Sequence, residues 1–216
     1  MNNIFKPSIV LLLLIFTGCA TYKAKSEIFP RMYNERPLSI LILPPINLST
    51  APEAKEYFMA TLTETISQTG YYFLPLEVTT PILKAEGLYD TEIISDSVLP
   101  QFKQLFGADA VLIAKILEWD KSYLIAGGNV RVSIDFMLRS TTTGKVIWAY
   151  KGKVVQDTSG SANNGIVGLI VETAIKTALQ DYFPIAKEVN KKVFKTVPVG
   201  IYNPRYNLNQ TDSVKL

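Results

Sequence analysis

Cys19 is the only thiol in a chain of 216 residues that contains no histidine. Those two facts bound the chemistry. Without histidine, the commonest general base and the commonest metal ligand are both missing. A lone cysteine forms no internal disulfide, no thiolate metal cluster and no Cys–His dyad. Neither a metal nor a cofactor is expected. Carboxylates, lysine and tyrosine remain. Glu118 and Asp120 share a strand face and could act as a carboxylate pair. Nothing places a second group opposite them, so solvated strand-end charge is the simpler reading. Gly160, Gly165 and Gly168 open a helical pattern and could be read as a phosphate cradle, but no Lys-Ser or Lys-Thr directly follows them and the spacing misses the dinucleotide fingerprint, so a simple loop is the simpler reading. There is no Gly-x-Ser-x-Gly elbow. The inventory points away from an enzyme.

The residues before Cys19 are more specific. Met1–Pro7 carries Lys6 and the terminal amine, and Ser8–Phe16 holds eight apolar residues out of nine. Thr17 and Gly18 are small, which completes the order of a secretory signal. A membrane-crossing helix needs roughly 20 apolar residues. This run is about half that, and polar sequence follows. Phe16-Thr17-Gly18-Cys19 resembles the bacterial lipobox, with Phe where Leu is usual. In such signals the cysteine sulfur receives a diacylglycerol, and a peptidase then cuts before it. Residues 1–18 are therefore expected to be a signal peptide. Cys19 is expected to carry the lipid that ties the chain to a membrane, with palmitate among the acyl groups. One acyl chain anchors marginally, and two or three anchor stably. Ala20 stands where an Asp would favour inner-membrane retention, so an outer-membrane, periplasm-facing location is expected. Residues 19–36 read as a lipidated tether.

The elements that follow alternate between two periods. Leu38–Leu43 (LSILIL) suits a strand covered on both faces, stopped by Pro44-Pro45. Ser49–Glu53 reads as a helix start with a capping hydroxyl, and Ala54, Phe58, Leu62 and Ile66 form one helical face. Tyr71–Leu74 is a short strand. Helices are expected over Pro75–Ala85 and Val98–Phe106, with a loop between. Ala110–Trp119 is again continuously apolar. Val130–Leu138 alternates, and Lys145–Val155 returns beside it, giving an antiparallel meander with turns at Ala126–Asn129 and Thr143-Gly144. Ser159–Gly165 reads as a loop before a long helix, Ile166–Phe183, ended by Pro184. The order β-α-β-α-α-β-β-β-α predicts a single three-layer α/β domain over residues 37–190. Its mixed sheet combines two strand–helix units, the three-stranded meander and a long C-terminal helix. Residues 191–216 read as an irregular tail. In it Tyr202, Pro204, Arg205 and Tyr206 are residue types favoured at binding hot spots. They are candidates for partner binding, the other reading being a tail packed on its own domain.

The lipobox, ILILPPINLS with the helix after it, GYYFLPLEVT, FGADAVLIAKILEW and VPVGIYNPRY resemble a family of Gram-negative outer-membrane lipoproteins of unassigned function. Its typical member is a neisserial antigen found by genome mining. That family is similar in fold to the N-terminal domain of TolB, to LpoB and to the periplasmic part of the curli secretion channel. The resemblance implies a non-catalytic envelope component that binds other envelope proteins, with a homo-oligomer as one form. A net charge of +3, or +2 without residues 1–18, gives no case for nucleic acid.

Four functions compete. An adaptor or component of a transport, secretion or assembly complex leads. An activator of a peptidoglycan synthase must reach across the periplasm, and residues 20–36 span at most ~60 Å fully extended. A curli-type pore needs strands of ~9–11 alternating residues from each subunit, and Val130–Leu138 with its partner supplies one hairpin. An enzyme would need a cleft with a perturbed carboxylate or lysine.

Overall fold

The computed structural model describes residues 22–124, 127–157 and 182–215. Residues 1–18, Cys19, the glycine loop and most of the helix expected over Ile166–Phe183 lie outside them. The chain folds as one α/β domain around a mixed sheet, as its two periodicities require. In chain order the elements are β1 (Tyr22–Ala24), α1 (Lys25–Ile28), α2 (Pro30–Glu35), β2 (Ser39–Ile42) and β3 (Ile46–Asn47). Then come α3 (Ala54–Ser67), β4 (Tyr72–Phe73), α4 (Leu76–Ala85), α5 (Leu99–Phe106), β5 (Ala110–Leu124), β6 (Gly127–Ser140) and β7 (Val146–Asp157). The last two are α6 (Tyr182–Phe194) and β8 (Ser213–Lys215). The strand order is β4-β2-β5-β6-β7, with β3 also pairing β5. β2 runs parallel to β4 and β5, whereas β5, β6 and β7 form the antiparallel meander.

Alternation in the strands assigns the two faces. Ile40, Ile42, Ala110, Leu112, Ala114, Ile116, Ile134, Phe136 and Trp148 point to one side, where Phe58, Leu62 and Ile66 of α3 and Val189 and Val193 of α6 meet them. Phe136 packs against Phe58 at 5.8 Å and Phe194 at 5.3 Å between ring centroids. Leu41, Leu43, Val111 and Ile113 point to the other side, under Leu83 of α4 and Leu99 and Phe102 of α5. Each such side chain contributes roughly 1.5–3 kcal/mol by leaving water. A bulge after Ile116 shifts the β5–β6 register, so Glu118 faces Ser133 and Trp119 faces Val132.

Asp109, at the mouth of β5, ties three segments together. Its carboxylate accepts from the Leu38 and Ser39 amides at 2.9 and 3.1 Å and pairs with Lys103. Its amide donates to the Ser39 carbonyl, and its own carbonyl accepts from the Thr141 amide. Burial pushes this carboxyl's pKa up, but the Lys103 bond and the two amides outweigh it and hold the group below the usual carboxylate range.

Several expectations are corrected. Residues 22–35 are not a free tether: they form β1, α1 and α2, and Phe29 and Met32 enter the core. Ser49 does not cap α3; its hydroxyl donates to Asn47 Oδ1 at 2.7 Å, and the Asn47 amide holds the Ala51 carbonyl. Gly127–Asn129 lie in β6 rather than in a turn, because the β5–β6 ladder extends to Leu124 and Gly127. Pro184 does not end a helix; it lies within α6. The helix then continues to Phe194, past the expected start of the tail. The strands β1, β3 and β8 are additional.

Candidate functional site

The site with the most unusual construction is where the two ends of the described chain meet. β1 and β8 pair antiparallel, with Tyr22 opposite Lys215, Lys23 opposite Val214 and Ala24 opposite Ser213. The ladder extends through Lys25 N–H to the Asp212 carbonyl and Ser26 N–H to the Gln210 carbonyl. Val214 anchors the ribbon in the core.

Lys25 follows directly, and it is only 5% exposed. Its ammonium donates to the carbonyls of Lys195 and Val197 at 2.7 and 3.0 Å, just past the end of α6. A cation suits that place, since the last carbonyls of a helix have no intrahelical partner and carry the negative end of its dipole. Burial lowers the Lys25 pKa, Asp212 partly restores it, and Arg205 lowers it further.

The C-terminal tail packs on its own domain. Tyr71 donates its hydroxyl to the Pro198 carbonyl at 2.6 Å. The Gly200 amide reaches Thr69, and the Tyr202 amide reaches Gly70. Gly70 has φ +80°, and a Cβ there would lie 2.4 Å from the Asn203 amide nitrogen. Only glycine meets both demands. Arg205 pairs with Asp212 at 2.8 Å, which draws the tail's turns towards the ribbon.

The structure therefore divides the four tail candidates. Tyr202, Pro204 and Arg205 are exposed, Tyr202 at 71%. Tyr206 is half-buried and lines a cleft of about 440 Å³, open to solvent, with Tyr33, Arg36, Tyr71, Pro198 and Gln210. The Tyr33 phenol is pushed up to about 12, by burial first and then by Asp212. Tyr71 is pushed up too, by burial and then by its neighbours Tyr33 and Tyr206. At neutral pH both phenols are neutral hydrogen-bonding groups and not proton acceptors. The ammonium of Lys25 is committed to carbonyls. This chemistry suits recognition and positioning.

The other candidates are placed apart. Glu118 bonds the Lys153 ammonium at 2.7 Å, and Asp120 stands exposed opposite Arg131 in register. Among the described residues, no group of three acidic or cysteine side chains could hold a metal ion. Likewise, no helix among them is long and apolar enough to cross a membrane. Lys25, Tyr71 and Asp212 went unnoticed in the sequence because each acts through partners remote along the chain.

Comparison with known proteins places this geometry. The family profile described as GNA1162-like, putative lipoprotein, matches residues 29–197. A protein of Neisseria meningitidis serogroup B described as "putative lipoprotein NMB1124/NMB1162" is 26% identical over 200 residues, covering 92% of this chain and 89% of the relative. The crystal structure of lipoprotein GNA1162 from Neisseria meningitidis is 29% identical, with a TM-score of 0.53 over 58% of this chain and 87% of that one. The C-terminal domain of LpoB from Salmonella enterica matches at 17% identity and a TM-score of 0.42, over 60% of this chain and 94% of that one.

Proposed function

Because the chain belongs to the GNA1162-like lipoprotein family, we propose that it is a lipid-anchored, non-catalytic component of a cell-envelope assembly. In this reading Cys19 carries the lipid, the anchor lies in the outer membrane, and the domain faces the periplasm and binds other envelope proteins. The observation that carries it is the position of Tyr22. The first strand begins three residues after Cys19 and is stitched into the domain by β8 and Lys25. A lipid on Cys19 would therefore hold the folded domain itself at the membrane. The exposed Tyr202, Pro204 and Arg205 form the candidate surface for a partner.

The same observation weighs against the synthase-activator reading. Folding of residues 22–35 leaves only Ala20 and Thr21 between the anchor and the domain, so the long reach such an activator needs is absent. The pore reading meets a different obstacle. β6 and β7 are long enough, but Val132, Ile134, Phe136 and Trp148 are buried under α3 and α6 and have no face for lipid.

Cell fractionation tests the anchor. The wild-type chain should sediment with outer membranes on a density gradient, and Cys19→Ala should move to the soluble periplasmic fraction. Unchanged fractionation of the variant would end the proposal. Crosslinking in intact cells should recover a defined envelope protein, and Tyr202→Ala with Arg205→Ala should weaken that recovery.

A further inference from the structure

We infer that the β1–β8 ribbon lies directly on the bilayer, with Tyr22 seated in the headgroup zone. The inference rests on lipidation of Cys19. Three peptide steps separate Cys19 from Tyr22, at most ~11 Å fully extended. Tyr22 cannot swing away as the end of a tether would. It heads a strand with three register pairs to β8, and that strand runs straight into buried Lys25. Acyl chains in the hydrocarbon therefore hold this end of the ribbon in or against the polar layer, roughly 5–7 Å deep on each side.

The side chains fit that layer. Tyr22 is 61% exposed, and tyrosine concentrates at membrane interfaces because its ring is apolar and its tip polar. Lys215 is its register partner on the same face of the ribbon, so an ammonium group stands where anionic lipid phosphates lie. The fold contains a natural contrast. Ile93 is 70% exposed, in the turn after α4 that packs on the opposite side of the sheet from Val214.

The test uses the full lipidated chain in vesicles of phosphatidylethanolamine and phosphatidylglycerol carrying a lipid spin-labelled near the headgroup. Trp119 and Trp148 are each 1% exposed, so a tryptophan introduced by Tyr22→Trp adds a separate, exposed emission. That added emission should be quenched about twofold in the vesicles. The emission added by Ile93→Trp should be unchanged. Flotation and the mass of Cys19 are read on the same samples. A chain that is acylated and floats, yet shows no quenching at position 22 or equal quenching at 93, overturns the inference alone. A chain without acyl mass that does not float sinks the anchoring proposal and this inference together.

Discussion

Among the described residues, apolar helices cover the side of the sheet that carries α3 and α6 from β2 across to β7, and the side that carries α4 and α5 over β2 and the start of β5. The first side closes with aromatic rings from four elements, Phe58, Phe136, Trp148 and Phe194. On the second, the apolar cover ends near Ile113 and Met137. Past that line the strands present Lys115, Glu118, Asp135, Lys151 and Lys153. Antiparallel sheets tolerate one wet face, so the meander can afford this whereas the parallel β2–β4 half cannot. The difference teaches that, among the described residues, the apolar cohesion of the domain comes mainly from one face.

Four substitutions break or sharpen that contrast, and urea unfolding reads all of them. Phe136→Ala opens the sealed side at its centre and should cost ~3–5 kcal/mol. A loss near that for an open-face residue would erase the distinction. Gly152→Ala comes next. Its Cβ would lie 2.3 Å from Val193 and 2.8 Å from Val189, so α6 must move, at ~1–3 kcal/mol. Asp109→Asn tests the tie between the start of β2, α5 and the β6–β7 turn and should cost ~1.5–3 kcal/mol at neutral pH. The sign of its pH dependence follows from a depressed folded-state pKa. The stabilisation is fully present above the ordinary carboxylate value and disappears as pH falls through the lower, folded-state value. The acid limb of wild-type stability below pH ~4 should therefore flatten in Asp109→Asn. Lys153→Ala should be the mildest. It removes a partly exposed pair with Glu118 and should shift stability by no more than ~1 kcal/mol. A larger loss would mean that a second copy or another protein already covers this face.

The order of the main strands and helices was legible because two periods carried it. The stretch Leu38–Leu43 and the alternation of Val130–Leu138 each state how many faces are buried, whatever the neighbours are. The parts that were not legible depend on distant partners. The segment Lys25–Glu35 has no apolar period of its own, and its short helices exist because Phe29 and Met32 find Trp148 and the core. β1 and β8 are three residues each and are strands only to one another. Pro184 reads as a helix stop because proline cannot donate to the helical ladder, yet it lies within α6. The expectation for Cys19 rests on the opposite kind of signal, a local segment that needs no distant partner. The ribbon that sits beside it was not legible, because nothing near Tyr22 announces Lys215.

Antiparallel pairing at the point of attachment also has a mechanical consequence. Tension along the strands, were the chain held at Cys19 as proposed, would enter β1 at Tyr22, while β8 is held by the domain from its Ser213 end. The pairs are then strained together in shear and do not peel one after another. Behind them Lys25 is bolted to the end of α6 through two carbonyls, so the pull passes into the helix that covers the sealed face. A chain pulled in this way would resist being unravelled from its end.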